Sequence, residues 1–446
     1  MIRRGNPDIT LCPTMAAFAY LFERFPSFTQ TFCYREVSEV LRKGIEIEVF
    51  SIRYPEDLPA DCPDATARRV TYLPTEEALR VELRQMETDG NLPKPVLSYI
   101  KRHGKKDLQR VAEALWLGPR LRRKGIGHVH VHFAGIAART AYWLKRLYGI
   151  CYSFTAHAND VFCETRYPIS QADLFREASL VVTVSDFSCK GLREAHPRWA
   201  AKILRVYNGI DMEQFRRTSF PSGSPHIVSV GRCIEKKGFA DLIDACAILR
   251  DRGVDFRCSI IGSGPLEEEL RARIASRELV REVRMTGPKP QEELRDLLSQ
   301  AHLFVLACAP EQDGGMDNLP TVIAEAMSCG LPVVSTRIAG VPEMVEEAST
   351  GLLTDPCDPA SFAAAMERLL ENPVELREFG ARGFDRVAKR FATGVTTDHL
   401  LQSLSRCRRV KLDNGRAAER PFFLKVREKI AELLWPDSLA AAPRWE

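Results

Sequence analysis

The chain has 446 residues, 45% hydrophobic and 27% charged, which suits two or three soluble domains that each bury a core without a disulfide or metal staple. Its 63 basic and 59 acidic residues leave a formal charge of +4, too even a balance for a nucleic-acid-binding protein. Thirteen cysteines are scattered without a C-x-x-C pair, and no apolar run is long enough to span a membrane, so a reduced, cytoplasmic protein is expected.

The first residues, MIRRGNPDITLCP, hold no apolar leader-like stretch. Residues 15–21 (MAAFAYL) read as a buried strand and 32–43 as a helix stopped by Gly44. Residues 45–52 and 128–133 (HVHVHF) alternate as strands do, and 152–155 and 180–184 are further short strands. Residues 137–148 and 185–194 have helical spacing between them. Residues 75–125 form a mainly helical, mixed-charge insertion.

The pattern restarts after Tyr207-Asn208-Gly209-Ile210-Asp211 and the linker-like PSGSP at 221–225. Strands are expected at 227–230, 256–261, 283–286, 303–306 and 332–335, with helices between them. Two successive β-α series imply an α/β protein of two Rossmann-like domains with parallel sheets facing a cleft, at 1–211 and 212–388. Residues 389–446 supply a late helix at 393–405 and an amphipathic tail, FFLKVREKIAELL at 422–434, read as docked on the body or lying on a membrane. The basic clusters RLRRK at 120–124 and RCRRVK at 406–411 read as solvated helix faces, or as contacts with an anionic membrane surface from the cytoplasmic side.

Chemistry concentrates at strand ends. In SVGRCIEKKG, Gly231 turns the chain and lets a ligand approach, and Arg232 and Lys237 offer a donor fork and a mobile point charge suited to a diphosphate. In IIGSGPL, Gly262 and Gly264 favour a loop with open amides, or simply a turn before a helix starting at Pro265. In EQDGGMDNLPTVIAEAMSCG, Asn318 is expected to cap a helix beginning near Pro320, after Leu319. The amides of Thr321 and Val322 would then face a phosphate. Glu325 lies four residues past Thr321 on the same helix face, where a carboxylate accepts from both ribose hydroxyls. Asp317 can accept from hydroxyls of a transferred sugar. Gly340 and Pro342 in STRIAGVPE form a tight loop after a strand near the same cleft edge. His128, His130 and His132 fall on one strand face, which admits metal ligation or plain packing near the cleft wall.

The order GR…KG, GSGP, acidic loop with EAM-x-CG-x-PVV and G-x-PE resembles the family-4 retaining glycosyltransferases of GT-B fold. FPSFTQTF at 25–32 is similar to the F-P-x-x-S-E-T-F segment of colanic-acid and exopolysaccharide transferases, with Thr29 and Gln30 replacing Ser and Glu, and SFTAHANDVF at 153–162 to FTAHA-x-D. VTVSDFS at 182–188 and VYNGID at 206–211 match the end of the family's first domain, so the resemblance runs over about 15–400.

The resemblance implies a nucleotide-diphosphate sugar as donor, a glycan or lipid-linked glycan as acceptor, and a site needing neither metal nor cofactor. Arg232 and Lys237 match the diphosphate pair; Asp317 and Glu325 match two acidic positions separated by seven residues, the first usually Glu. His157 matches a cleft histidine, and Thr29, Thr31 and Asp160 would face the acceptor. His157, Asp317, Arg232 and Lys237 are the expected catalytic set. Rival readings are a non-catalytic or partner-dependent nucleotide-sugar-binding protein, which the shorter Asp317 leaves open, another GT-B enzyme such as a phosphorylase or epimerase, and a two-domain binding protein.

Overall fold

A computed structural model describes residues 18–27, 30–56, 59, 62–162, 167–215, 221–312 and 314–414. Two sheets, every strand parallel to its neighbours, organise it. The first contains β1 (Phe18–Arg24), β2 (Ile47–Arg53), β3 (Val70–Tyr72), β4 (His128–His132), β5 (Cys151–Ala156), β6 (Leu180–Thr183) and β7 (Ile203–Arg205), in the order β3-β2-β1-β4-β5-β6-β7. The second contains β8 (His226–Val230), β9 (Arg257–Ile261), β10 (Val283–Met285), β11 (Leu303–Leu306), β12 (Val333–Thr336) and β13 (Gly351–Thr354), in the order β10-β9-β8-β11-β12-β13.

Helices lie on both faces of each sheet, so the central strands are buried on both sides and read as continuous apolar runs, as in HIVSV of β8 and LFVL of β11. In both sheets the strand order reverses beside the first strand, between β1 and β4 and between β8 and β11. A crevice opens at such a switch point, beyond the carboxyl ends of the strands, and there the chain places its glycines, cations and carboxylates.

The expected strands appear with ends moved by at most three residues, and that at 303–306 is unmoved. Three others, β3, β7 and β13, are added at three or four residues each. The 75–125 segment forms helices Glu76–Thr88, Lys94–His103 and Leu108–Arg123, the last packed against helix Ile136–Tyr148. Its basic cluster is largely solvated, with Arg122, Arg123 and Lys124 exposed, while Arg120 lies over the Trp116 ring, Arg122 donates to the Tyr148 carbonyl and Lys124 pairs with Glu48 at 2.6 Å.

The late helix, Thr393–Asn414, crosses back onto helix Thr31–Arg42 of the first domain. Leu400, Leu401 and Leu404 join Phe18, Val37 and Val40 in one buried cluster. The tail at 422–434 lies outside the described residues. Among those described, no helix is long and apolar enough to cross a membrane, and the cysteines are free and mostly buried.

Candidate active site

On the second sheet the site grows from the loops after β8, β9 and β11. Gly231 leaves β8 and donates to the Ile261 carbonyl at 3.0 Å, lacing that loop to the next. Gly262 (φ +140) is required there, since a Cβ would fall 1.8 Å from the Gly231 carbonyl oxygen. Its amide is not open to a ligand as expected; it donates to Gly287 at 3.0 Å, so the glycine serves loop contact. Gly264 continues the turn, whose Leu266 amide returns to Cys233 at 3.0 Å, and the helix starts at Glu267 rather than Pro265.

Lys237 ends a short 3-10 turn, Glu235–Lys237, instead of opening the helix. Gly238 (φ +61) caps helix Phe239–Asp251, where a Cβ would fall 1.6 Å from the Ala307 carbonyl oxygen. The β8 and β11 loops therefore touch, and Lys237 Nζ lies 2.6 Å from Asp317 Oδ2 with both side chains mostly buried. Burial disfavours the Lys237 ammonium, but the Asp317 carboxylate outweighs it and raises the lysine above its ordinary value. Arg232 is exposed and close enough to Lys237 to oppose its charge. Three cations, Arg232, Lys236 and Lys237, thus stand on one stretch after β8, Lys236 paired with Glu311 and Lys237 with Asp317 of the loop after β11.

After β11 the chain reaches helix Thr321–Ser328, preceded by Leu319 and capped by Pro320 with no side-chain hydrogen bond. The expected cap, Asn318, is turned elsewhere: its Oδ1 accepts from Ser185 Oγ of the first domain at 2.5 Å, because the two domains meet at this point. Thr321 and Val322 head an uncapped N-terminus, whose partial positive charge favours an anion. Glu325 is 3% exposed and accepts from Arg35 Nη1 at 2.9 Å.

On the first sheet, Thr31 opens helix Thr31–Arg42, while Thr29 lies outside the described residues. His157 follows β5 and is 7% exposed, packed against the rings of Phe32 and Phe133. Asp160 turns inward: its carboxylate accepts from the His157 amide at 2.9 Å, so it shapes the loop. The three histidines of β4 are buried and bonded within the fold. His128 and His130 share Ser153 Oγ at 2.8 Å each, and His130 Nε2 reaches Thr155 Oγ1 at 3.1 Å. Burial and the neighbouring His132 push His130 down to about 3, so its ring is neutral. Glu36, His130 and His132 lie close enough together to ligate a cation, but both ring nitrogens of each histidine already face protein partners.

One residue of this region, Arg35, carried no sequence signal. Arg35 pairs with a carboxylate 290 residues away. Glu343, in the G-x-PE segment, accepts from the amides of Asp186 (2.8 Å) and Phe187 (2.9 Å) and from the Tyr207 hydroxyl (3.1 Å). It therefore caps helix Asp186–Ala195 of the opposite domain. Gly340 and Pro342 form the start of the short helix that presents it, Val341–Met344.

Residues 29–214 match the model of Glycosyltransferase Family 4, and residues 211–386 that of glycosyl transferases group 1. The chain is 29% identical over 369 residues to an Escherichia coli (strain K12) protein named as a colanic acid biosynthesis glycosyltransferase, WcaL, covering 76% of this chain and 87% of the relative. It is likewise 29% identical over 374 residues to the amylovoran biosynthesis glycosyltransferase AmsK of Erwinia amylovora, covering 79% and 90%. Among solved structures, Anabaena HepE in complex with UDP aligns with a TM-score of 0.63 at 17% identity, over 87% of this chain and all of that one (100%).

Proposed function

The chain belongs to the glycosyltransferases of GT-B fold, one domain of Family 4 type and one of group 1 type, and on that premise we propose a specific reaction. It moves a sugar from a nucleoside-diphosphate donor, with retained configuration, to a hydroxyl of a glycan or lipid-linked glycan in exopolysaccharide synthesis. The names of the relatives from Escherichia coli and Erwinia amylovora support that product class. The observation that carries the donor is the contact of Lys237, on one loop with Arg232, with Asp317, four residues before the N-terminus of helix Thr321–Ser328, which lacks a side-chain cap, at the second sheet's switch point.

These groups supply fixed positive charge where the diphosphate leaves, so the reaction needs no cofactor or bound metal. Glu325 takes the ribose hydroxyls, and Asp317, His157 and the first domain border the sugar and acceptor. The anomeric carbon's bond to the diphosphate oxygen breaks while the acceptor oxygen attacks the same face. The acceptor's proton passes to the departing phosphate, so no protein nucleophile is consumed.

A thermal-shift screen of nucleoside diphosphates and their sugars tests the donor, because a ligand of the folded state alone raises the melting temperature. At a hundred-fold excess over Kd the gain is about 2.7 kcal/mol. One nucleotide class should raise the melting temperature of the wild type and fail to raise that of Arg232→Ala; no shift with any nucleotide would count against the proposal.

A further inference from the structure

Three side chains from three elements form a line that ends on His157. Glu36 projects from helix Thr31–Arg42, His132 closes β4, and His157 follows β5. Glu36 Oε1 lies 3.1 Å from His132 Nε2, and His132 Nδ1 lies 3.2 Å from His157 Nε2. The two imidazole centroids are 5.5 Å apart with planes within 21°. The centroid separation exceeds the nitrogen separation by about two ring radii. Both nitrogens therefore lie on the line between the rings, which are joined edge to edge by a hydrogen bond.

The line is sheltered. His132 is 2% exposed, and its ring runs nearly parallel to that of Phe22 at 5.5 Å. The Tyr20 hydroxyl donates to the same Glu36 oxygen at 2.7 Å. We infer that Glu36 and His132 are positioning residues that hold His157 as an uncharged ring with its proton on Nδ1, so that it meets its ligand as a hydrogen-bond donor and not as a base. The meeting of His157 with a sugar rests on the transferase reading; its tautomer does not.

Charge decides between the two ways of placing the protons. A neutral His132 would donate to Glu36 and accept from His157, leaving the His157 proton on Nε2. A charged His132 donates at both ends and forces it to Nδ1. The titratable groups around the line are Tyr20, Cys33, Glu36, His130 and Asp160. Burial opposes a charge on His132, but Cys33 and the Glu36 carboxylate outweigh it and push the ring up. Burial also raises the Cys33 thiol, so near neutral pH the anion facing the ring is Glu36, 3.1 Å from Nε2. Burial likewise opposes a charge on Glu36, yet His132 pulls it below its ordinary value. Burial, then His132 and His130, hold His157 well below its ordinary value. The charge pair is thus internal, and the outermost ring stays neutral.

The test is nitrogen-15 NMR of full-length protein labelled at its nine histidines, free of ligand, from about pH 6 to 9. Wild type, Glu36→Gln and His132→Gln are compared, with His157→Asn for assignment. In the wild type, His157 is expected as the Nδ1–H tautomer throughout, with His132 protonated on both nitrogens. In Glu36→Gln, whose amide oxygen still accepts from Tyr20 and His132, His132 should lose its charge within this range and His157 should shift towards the Nε2–H form. Turnover of a nucleotide sugar should then fall about ten-fold at high pH, with the melting shift caused by the nucleotide found in the screen retained. Glu36→Gln alone carries the comparison if His132→Gln does not fold. A wild-type His157 protonated on Nε2, or a tautomer identical in wild type and variants, overturns the inference. Failure of UDP and other nucleotides to bind the wild type would sink the transferase reading while leaving the tautomer result standing.

Discussion

Asp160 illustrates how one half-buried carboxyl shapes the loop that carries His157. Its charge is disfavoured by burial more than it is favoured by the amides of His157 and Ala134 and by Arg139, so it titrates at about 6 rather than 3.8. The folded chain therefore holds this proton more tightly than the unfolded chain. That contribution is complete below about 3.8 and is lost as pH rises through about 6. Asp160→Asn keeps an oxygen for the His157 amide and removes the charge. It should be neutral near pH 4 and stabilise the chain by on the order of 2 kcal/mol at pH 8, read from urea midpoints. Equal midpoints at both pH values would show that the carboxyl is solvated. The same scale marks the limit of sequence reading. Arg232, Lys237, Asp317 and Glu325 stand out because motif order brings them together. Arg35 does not, because its partner lies 290 residues away and only the fold defines it. Glu343 stands in the G-x-PE segment, but its capping role depends on partners 136 to 157 residues away.

Elements explain why the motifs work as motifs. Gly262 and Gly238 let the loops after β8, β9 and β11 touch, which fixes Lys237 against Asp317. Glu343 performs the reciprocal task across the domains: its carboxylate takes the amides of Asp186 and Phe187, while the helix's own cap, the Ser185 hydroxyl, takes only that of Ser188. Glu343→Ala should cost about 1–2 kcal/mol, the usual worth of a lost helix cap, whereas Glu343→Gln should cost less than half of that. Chemical denaturation monitored separately on each domain would detect the loss; no change in the first domain would remove the capping role. Strand reading succeeded where apolar runs were long and buried, as in β8 and β11. It passed over β3 and β7, which are three residues long, and β13, which begins with glycine. Asn318 was misplaced for a tertiary reason: Ser185 of the other domain offers a better partner than the helix amides.

At the scale of the molecule, the proposed donor site and the domain seam share residues. Glu325 is held by Arg35 from the first domain, Asn318 by Ser185, and helix Thr393–Asn414 ties the chain's later part back onto helix Thr31–Arg42. Leaving a buried charge without its partner typically costs about 3–5 kcal/mol, so Arg35 and Glu325 stand or fall together in the free protein. A donor that takes Glu325 by its ribose must then share that carboxylate with Arg35, which links donor entry to how the two sheets face each other. The central claim is that the loops after β8 and β11 hold a nucleotide sugar for chemistry. It is tested most directly by the release of nucleoside diphosphate from the sugar donor selected by the thermal-shift screen. The account predicts slow release without acceptor by the wild type and a fall of at least a hundred-fold, about 2.7 kcal/mol in barrier, in Lys237→Ala and Glu325→Ala. Release at wild-type rates by both variants would contradict it.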